Sequence, residues 1–323
     1  MSDGAGDVDP AGLAPDEAFD LLGNGVRMEI LQALWETDGL LASDTSVPFS
    51  ELYDRVSARD SGNFTYHLDK LVGHFVEKTA DGYRLKQTGR NVVQTVVAGT
   101  VTDDPRFGPT EIDAPCPLCD AAVEITYEDN ALRCSCTACD GIWETTDGTG
   151  ILLWMSLPPA SVRDRSPEEV FHAMMVNSGY AVAACLSGVC PTCTGRVETT
   201  LDVCRDHETG MGTRCPACDR AHMAEATYVC QVCGGTIHGQ VRTDVLAHPA
   251  VTAFYHDHGI EHRFASWDTY CRSHEIRETL VSGDPLELRL AVPAGDEELR
   301  LTVDDELSVT DVRRRSRAVP DQD

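Results

Sequence analysis

At 323 residues the chain is long enough for two or three domains, each with a real core. No run of eighteen apolar residues occurs and the first residues are acidic and Gly-rich, so neither a membrane span nor a secretory leader is expected, and the chain reads as cytoplasmic. The formal net charge is −27, and only Lys70, Lys78 and Lys86 are lysines among 26 basic residues. Such a surface stays hydrated where salt is molar, which points to a halophilic, archaeal host rather than to disorder throughout. Because every protein of such a host is acidic, the charge does not exclude a nucleic-acid partner.

Residues 1–13, rich in Gly, Asp and Ala, read as a disordered tail. Helical spacing then predicts helices over about 15–22 and 26–37, the first stopped by Gly23-Asn24-Gly25, the second carrying Ile30, Leu31 and Leu34. A third helix is expected to open with Ser50 as its N-cap, and a fourth at Asp60-Ser61 with Phe64, Leu68 and Leu71 inward. Two β-like runs, 75–79 and 83–86, flank Asp81-Gly82, a hairpin turn signal, and a fifth helix follows over 88–98 with Val92, Val93 and Val96. Helices, hairpin and closing helix in this order make residues 14–100 a winged helix-turn-helix domain.

The buried line on the fourth helix leaves Asn63, His67, Lys70 and His74 along one flank and Tyr66 outward. Asparagine can pair with an adenine edge, and His, Tyr and Lys reach bases or phosphates in a major groove. Lys78, Arg84 and Lys86 on the hairpin suit phosphate contact by a wing. Residues 51–90 hold seven Lys/Arg against six Asp/Glu, a slight positive excess in a strongly negative chain.

Residues 101–113, rich in Pro and Asp, read as a linker. All fourteen cysteines follow it. Five Cys-x2-Cys pairs (Cys116/Cys119, Cys136/Cys139, Cys190/Cys193, Cys215/Cys218, Cys230/Cys233) and one Cys-x2-His, Cys204/His207, are half-sites of the kind that hold tetrahedral zinc. Six half-sites imply three closed, structural zinc ions, with iron as the rival metal. Residues 123–127 and 132–134 alternate around a turn, so 114–160 is expected to be a zinc ribbon closed by Cys116, Cys119, Cys136 and Cys139, with a further strand over 151–157. A helix over 167–186, capped by Ser166, fills the connecting segment 161–188.

In 189–242 two alternating runs of matched length, 197–203 and 223–229, favour a nested pairing: Cys190/Cys193 with Cys230/Cys233, and Cys204/His207 with Cys215/Cys218. Sequential pairing and an interleaved cross-brace are the alternatives. Cys134, Cys185 and Cys271 are left over and read as small buried hydrophobes or spare thiols. Residues 243–312 are expected to form a C-terminal unit of one helix, ending at Gly259 with His256 and His258 near its end, and two strands, 286–292 and 297–303. Residues 313–323, with Arg313-Arg314-Arg315, read as a solvated tail. The fold class expected is thus α+β multidomain: a winged helix-turn-helix, zinc-ribbon modules and a small C-terminal α/β unit.

Thr65-Tyr66-His67-Leu68 with Leu71 resembles the recognition helix of ArsR-type winged-helix repressors, and Leu21-Leu22-Gly23 with Arg27 and Ile30-Leu31 resembles their preceding helix. The run from Asp60 to Lys78, with Asp81–Leu85, is similar to haloarchaeal regulators of that superfamily; the resemblance covers about 15–99. It implies an intracellular, homodimeric transcription regulator that binds double-stranded DNA. Metal-sensing members carry thiolates within this domain, whereas residues 1–115 contain no cysteine, so a signal, whether a protein partner or a small effector, is expected to enter through the C-terminal region. No P-loop, Ser/His/Asp array or open three-ligand metal site stands out, so an enzyme is not expected.

Overall fold

The computed structural model describes residues 12–37, 46–144, 150–208, 214–263 and 265–317, so nearly all of the tail expected over 1–13 lies outside the described residues. Helix and sheet are mixed, and the chain divides into two compact units, Met1–Asp103 and Asp104–Asp323.

In the first unit α1 (Pro15–Leu22) ends where the Gly23 N–H meets the Phe19 carbonyl at 2.8 Å, and α2 (Gly25–Thr37) buries Ile30, Leu31, Ala33 and Leu34. Helix α3 (Phe49–Asp54) corrects the expected Ser50 cap. Pro48 takes the cap position, its fixed φ pre-set for the turn, its carbonyl accepting from the Leu52 N–H at 3.0 Å, while Phe49 packs edge-on against Phe64 at 5.1 Å. Helix α4 (Ser61–Leu71) is capped by Asp60, whose carboxylate accepts from the Asn63 N–H at 2.8 Å, and it buries Phe64, Leu68 and Leu71. Strands β1 (Val76–Lys78) and β2 (Tyr83–Leu85) form the hairpin, and α5 (Gln87–Val97) follows. The sequence pattern did not reveal that Val47 bridges Tyr83 on the far side of β2. That contact fixes Gly82: its φ is +151°, and a Cβ there would stand 2.2 Å from the Val47 carbonyl oxygen.

The second unit opens with β3 (Phe107–Pro115), β4 (Ala122–Glu128), β5 (Ala131–Cys136), β6 (Trp143–Glu144) and β7 (Gly150–Ser156), an antiparallel sheet in the order β3-β4-β5-β7-β6. The linker expected over 101–113 is therefore shorter, since Phe107–Asp113 is strand. Prolines made the segment read as irregular, but an edge strand tolerates them, and Phe107 stacks on Tyr127 while Ile112 is buried opposite Val123. Helix α6 (Pro167–Leu186) starts with a capping box between Ser166 and Glu169. Val170, Phe171, Met174 and Met175 pack into the core of this sheet, and Cys185 at its far end enters a second core.

That second core is shared by two sheets. Strands β8 (Val197–Val203), β9 (Ala224–Cys230) and β10 (Thr236–Gln240) form one, with β9 central. Helices α7 (Val241–Asp244), α8 (Pro249–Asp257) and α9 (Trp267–Ser273) lead to a four-stranded meander of β11 (Arg277–Gly283), β12 (Leu286–Ala294), β13 (Glu297–Val303) and β14 (Val309–Ser316). The C-terminal unit thus has two strands more than expected. The solvated tail is corrected from Arg313 to Ser316, which pair with Arg300 to Glu297. Its arginine run hid a strand, because long aliphatic stems can lie on a sheet while their charged heads stay wet. Helix α9 ties the modules together: the Trp267 indole donates to the Pro115 carbonyl at 2.9 Å and the Tyr270 hydroxyl to that of Leu152 at 2.8 Å.

Between the modules lies a layer of buried polar groups that no hydrophobic pattern signals. Arg242 donates to Gln240 Oε1 at 2.7 Å, Gln240 reaches Tyr270, Glu278 accepts from the Met223 N–H, and the Tyr228 hydroxyl donates to Asp244. His274 joins this layer, its Nδ1 facing the Tyr270 carbonyl at 3.1 Å. Burial, with the Arg242 guanidinium adding, pushes its pKa from the ordinary 6.5 to about 3. Below pH 6.5 the unfolded chain therefore binds a proton that the folded chain refuses. The stability held above that pH falls by about 1.4 kcal/mol per pH unit as acid is added, until about 3. Chemical denaturation from pH 7 to 5 should show a shallower acid loss for His274→Gln than for the wild type; parallel profiles contradict this assignment.

Candidate metal centres and nucleic-acid interface

The antiparallel registers bring the half-sites together. Pairing of Val123 with Cys136 places the Cys116/Cys119 turn beside Cys136/Cys139. Pairing of Val197 with Cys230 places Cys190/Cys193 beside Cys230/Cys233, and at the other end of the same ladder Val203 opposite Ala224 places Cys204/His207 beside Cys215/Cys218. In each group all four donor atoms lie within 4.8 Å of one another. The geometry is the nested one, with neither the sequential nor the interleaved grouping among the described residues.

Sulfur separations test what the groups can hold. Cys116 and Cys139 are 3.7 Å apart, Cys119 and Cys136 3.5 Å, Cys190 and Cys233 3.8 Å, and Cys193 and Cys230 3.5 Å. These are far beyond the about 2.05 Å of a disulfide and near the about 3.8 Å edge of a tetrahedron with zinc–sulfur bonds of about 2.3 Å. In the third group His207 Nδ1 stands 3.4 Å from Cys218 Sγ. The three groups could each hold a metal ion and are compatible with zinc.

One local turn builds four of the half-sites. After Cys116, Cys190, Cys215 and Cys230 the fourth residue on (Asp120, Thr194, Asp219, Gly234) has a positive φ of 55–72° and returns its N–H to the first cysteine's carbonyl. The turn then points further N–H groups at sulfur: Leu118 to Cys116, Ala217 to Cys215, and Val232 and Cys233 to Cys230, at 3.4–3.5 Å. The N–H groups of Cys233 and Val232 hold the Cys230 thiol down at about 6, whereas burial pushes Cys116 up to about 11. A cation is what allows all four thiols of such a set to ionise together. A Gly or Asp four residues after the first cysteine, present at three of these four turns, is a sequence signal beyond the spacing, whereas Thr194 takes the same left-handed backbone without being favoured there.

The third group is braced from outside. Arg214 donates to the Ile142 carbonyl of the first ribbon at 3.1 Å, and buried His222 lies edge-on to Trp143 at 6.3 Å, 3.3 Å from Glu225. Cys134, Cys185 and Cys271 stay outside all three groups, and burial raises each of their pKa values. Of the downstream histidines, His258 donates to the Phe254 carbonyl at 2.8 Å and His262 to that of Leu246 at 3.0 Å, so helix packing uses them.

In the first unit the structure brings Asn63, Tyr66, His67 and Lys70 together on α4. Asn63 Nδ2 is 3.4 Å from His67 Nε2, Lys70 Nζ is 5.8 Å from the centre of the Tyr66 ring, and Tyr66 is 59% exposed. His67 is pulled below its ordinary pKa by burial and by Arg27, which favours its neutral form. His74 lies beyond the helix end. On the hairpin Lys78 sits 5.8 Å from the Tyr83 ring, Arg84 pairs with Glu77 at 2.8 Å, and Lys86 donates to the Gly73 carbonyl at 2.6 Å. Arg84 and Lys86 are therefore held by their own unit.

Residues 113–309 match the family model of a domain of unknown function, DUF7351. The chain belongs to the DUF7351 family. Residues 15–96, from the start of α1 into α5, match a second domain of unknown function, DUF7347. The DUF7351 match runs from the end of β3 to the start of β14 and contains all three cysteine groups. No curated protein and no solved structure matches the chain. Among the described residues no helix is long and apolar enough to cross a membrane.

Proposed function

We propose that the chain is a sequence-specific, DNA-binding transcription regulator of a halophilic archaeon, in which the DUF7347 region is a winged helix-turn-helix and the DUF7351 region is a zinc-stiffened regulatory or interaction module. The observation that carries this reading is the set Asn63, Tyr66, His67 and Lys70, of which Tyr66 and Lys70 are exposed and Asn63 and His67 half-buried beside them. It lies on a capped helix backed by Phe64, Leu68 and Leu71, with a two-stranded hairpin following. Asparagine, tyrosine and a neutral histidine offer directed hydrogen bonds to base edges, which survive in molar salt where bare charge is screened. The reading places the protein in the cytoplasm as a homodimer.

In this proposal Cys116, Cys119, Cys136 and Cys139 hold one zinc, Cys190, Cys193, Cys230 and Cys233 a second, and Cys204, His207, Cys215 and Cys218 a third. Four protein donors per ion leave no open position, so the metals serve the fold. Anomalous diffraction at the zinc edge should show three ions in these groupings; an ion shared by Cys190 and Cys215 contradicts the pairing. Selection of duplexes from a random pool in molar KCl tests the function, with enrichment of one motif expected and an unenriched pool contrary to it.

A protein-interaction adaptor without DNA readout is the second reading, favoured by the outer face of α6. Residues 170–189 contain no charged side chain, in a chain that is 24% charged, and Val176 and Tyr180 are 47% and 64% exposed.

A further inference from the structure

The arginine run at the end of the chain is not a tail, and its strand sorts the side chains onto two faces. Arg314 turns toward the core, over the Phe254 ring at 5.3 Å and paired with Asp257. Arg313 and Arg315 face the other way, onto the outer surface of the β11–β14 sheet. The register aligns Arg277, Ala291, Arg300 and Arg313 in one row across all four strands, with Arg289 and Arg315 in the rows beside it. The opposite face carries buried Leu288, Leu290, Val292, Leu299 and Leu301, so the arginine face is the solvent side.

Five arginines thus meet Glu298, Asp311 and, at the rim, Glu287, a local positive excess in a chain of net charge −27. Glu298 is only 2% exposed and lies beneath the sheet's guanidiniums, bonded to both Arg277 and Arg300. It fixes those two heads, and each guanidinium keeps further donors for an outside acceptor. Arg289 and Arg315 have no acidic partner among the described residues. Arg313 is paired through Nε with Asp311 at 2.9 Å, and side-chain exposures of 67% for Arg277 and 62% for Arg313 leave their remaining donors open.

We propose that this outer sheet face is a second nucleic-acid contact, a sequence-independent seat for the phosphate backbone of duplex DNA. The proposal rests on the DNA-binding reading and adds a separate surface to it. Guanidinium forks match phosphate oxygens in pairs, and such directed bonds persist where salt cuts the screening length to about 3 Å at 1 M. The face offers no aromatic ring, so it cannot stack the bases of a single strand. Ala291, Pro293 and threonines are its other members, and none is the large apolar or aromatic anchor that a protein partner needs. What remains is a polyanion recognised by its charge and oxygen geometry alone.

The test uses the full chain with Arg289→Gln, Arg313→Gln and Arg315→Gln together, leaving Arg277 and Arg300 to keep Glu298 paired. Binding to the selected duplex and to an unrelated duplex is measured over a KCl series. Affinity for both should fall by the same factor, about tenfold or more, and the slope of log K against log [KCl] should flatten by about two to three. A triple lysine variant, which keeps charge but not the fork, should fall between the two. Unchanged affinities and slope in the glutamine variant, with its melting curve intact, overturn the proposal while leaving α4 as the reader of sequence. A wild-type chain that binds no duplex overturns the DNA reading and this seat with it. Binding of poly-glutamate in preference to duplex assigns the face to an acidic protein instead, and also overturns it.

Discussion

Replacing Asn63, Tyr66, His67 and Lys70 together by alanine is expected to remove sequence-selective DNA binding while leaving the first unit folded. Each good base contact discriminates by about 1–3 kcal/mol, so loss of two or three removes at least about 2 kcal/mol, roughly thirtyfold or more in affinity for the preferred site. Their neighbours Phe64, Leu68 and Leu71, which belong to the buried core of the unit, are untouched, and substitutions outside such a core shift stability by about 0.5 kcal/mol each. The expected signature is a loss of preference more than of general affinity. Binding to the selected duplex should collapse onto that for unrelated DNA, as measured by competition in molar KCl. Smaller effects are expected at Arg84 and Lys86, whose heads are already engaged by Glu77 and by the Gly73 carbonyl. Undiminished preference in the quadruple variant, or retained partner capture with no DNA footprint from the wild type, favours the adaptor reading.

Stripping metal with a strong chelator at neutral pH is the second large effect, and it should fall on the second unit alone. All candidate ligands lie beyond residue 115, and the first unit contains no cysteine. Structural zinc contributes about 10–16 kcal/mol of apparent binding free energy in zinc-finger peptides, which folding alone must replace when it is lost. Here the groups close both ends of the β8–β9 ladder and one end of the β4–β5 hairpin, and Cys190 and Cys230 are themselves part of the hydrophobic core. Calorimetry should therefore resolve a chelator-sensitive transition, lowered by tens of degrees, and a chelator-insensitive one from residues 12–103. Cys230→Ser should reproduce most of the loss. Its β9 is the central strand of three, and its sulfur takes two backbone N–H bonds that a serine oxygen cannot reproduce at the same bond length. A chelator that leaves both transitions in place contradicts the structural-metal account.

What the sequence made legible was whatever repeats at short range. Cys-x2-Cys spacing marks the half-sites because two thiolates on one tight turn need it, and the matched runs around Val197–Val203 and Ala224–Cys230 give the nested grouping because antiparallel partners must be equal in length. Capping at Ser166 was readable for the same local reason. Hidden features depend on partners distant in the chain. Strand β3 was masked by prolines that only an edge position tolerates, and β14 by arginines whose stems pack although their heads are charged. Ser50 lost its expected cap role because Phe49 is drawn into the aromatic cluster with Phe64 and Tyr53. No motif singles out Arg242, Glu278 and His274, since nothing in their neighbourhood reveals that α7, β11 and the turn after α9 converge on one buried layer. The basic row from Arg277 to Arg313 exists only through a register spanning four strands.

Genome-wide footprinting of the native protein in cells, beside the Asn63, Tyr66, His67 and Lys70 quadruple variant, decides whether α4 reads DNA sequence. Discrete protected sites that share one motif are expected in the wild type, and these should vanish in the variant. A wild type with no protected sites, or a variant that protects the same ones, would contradict this role of α4.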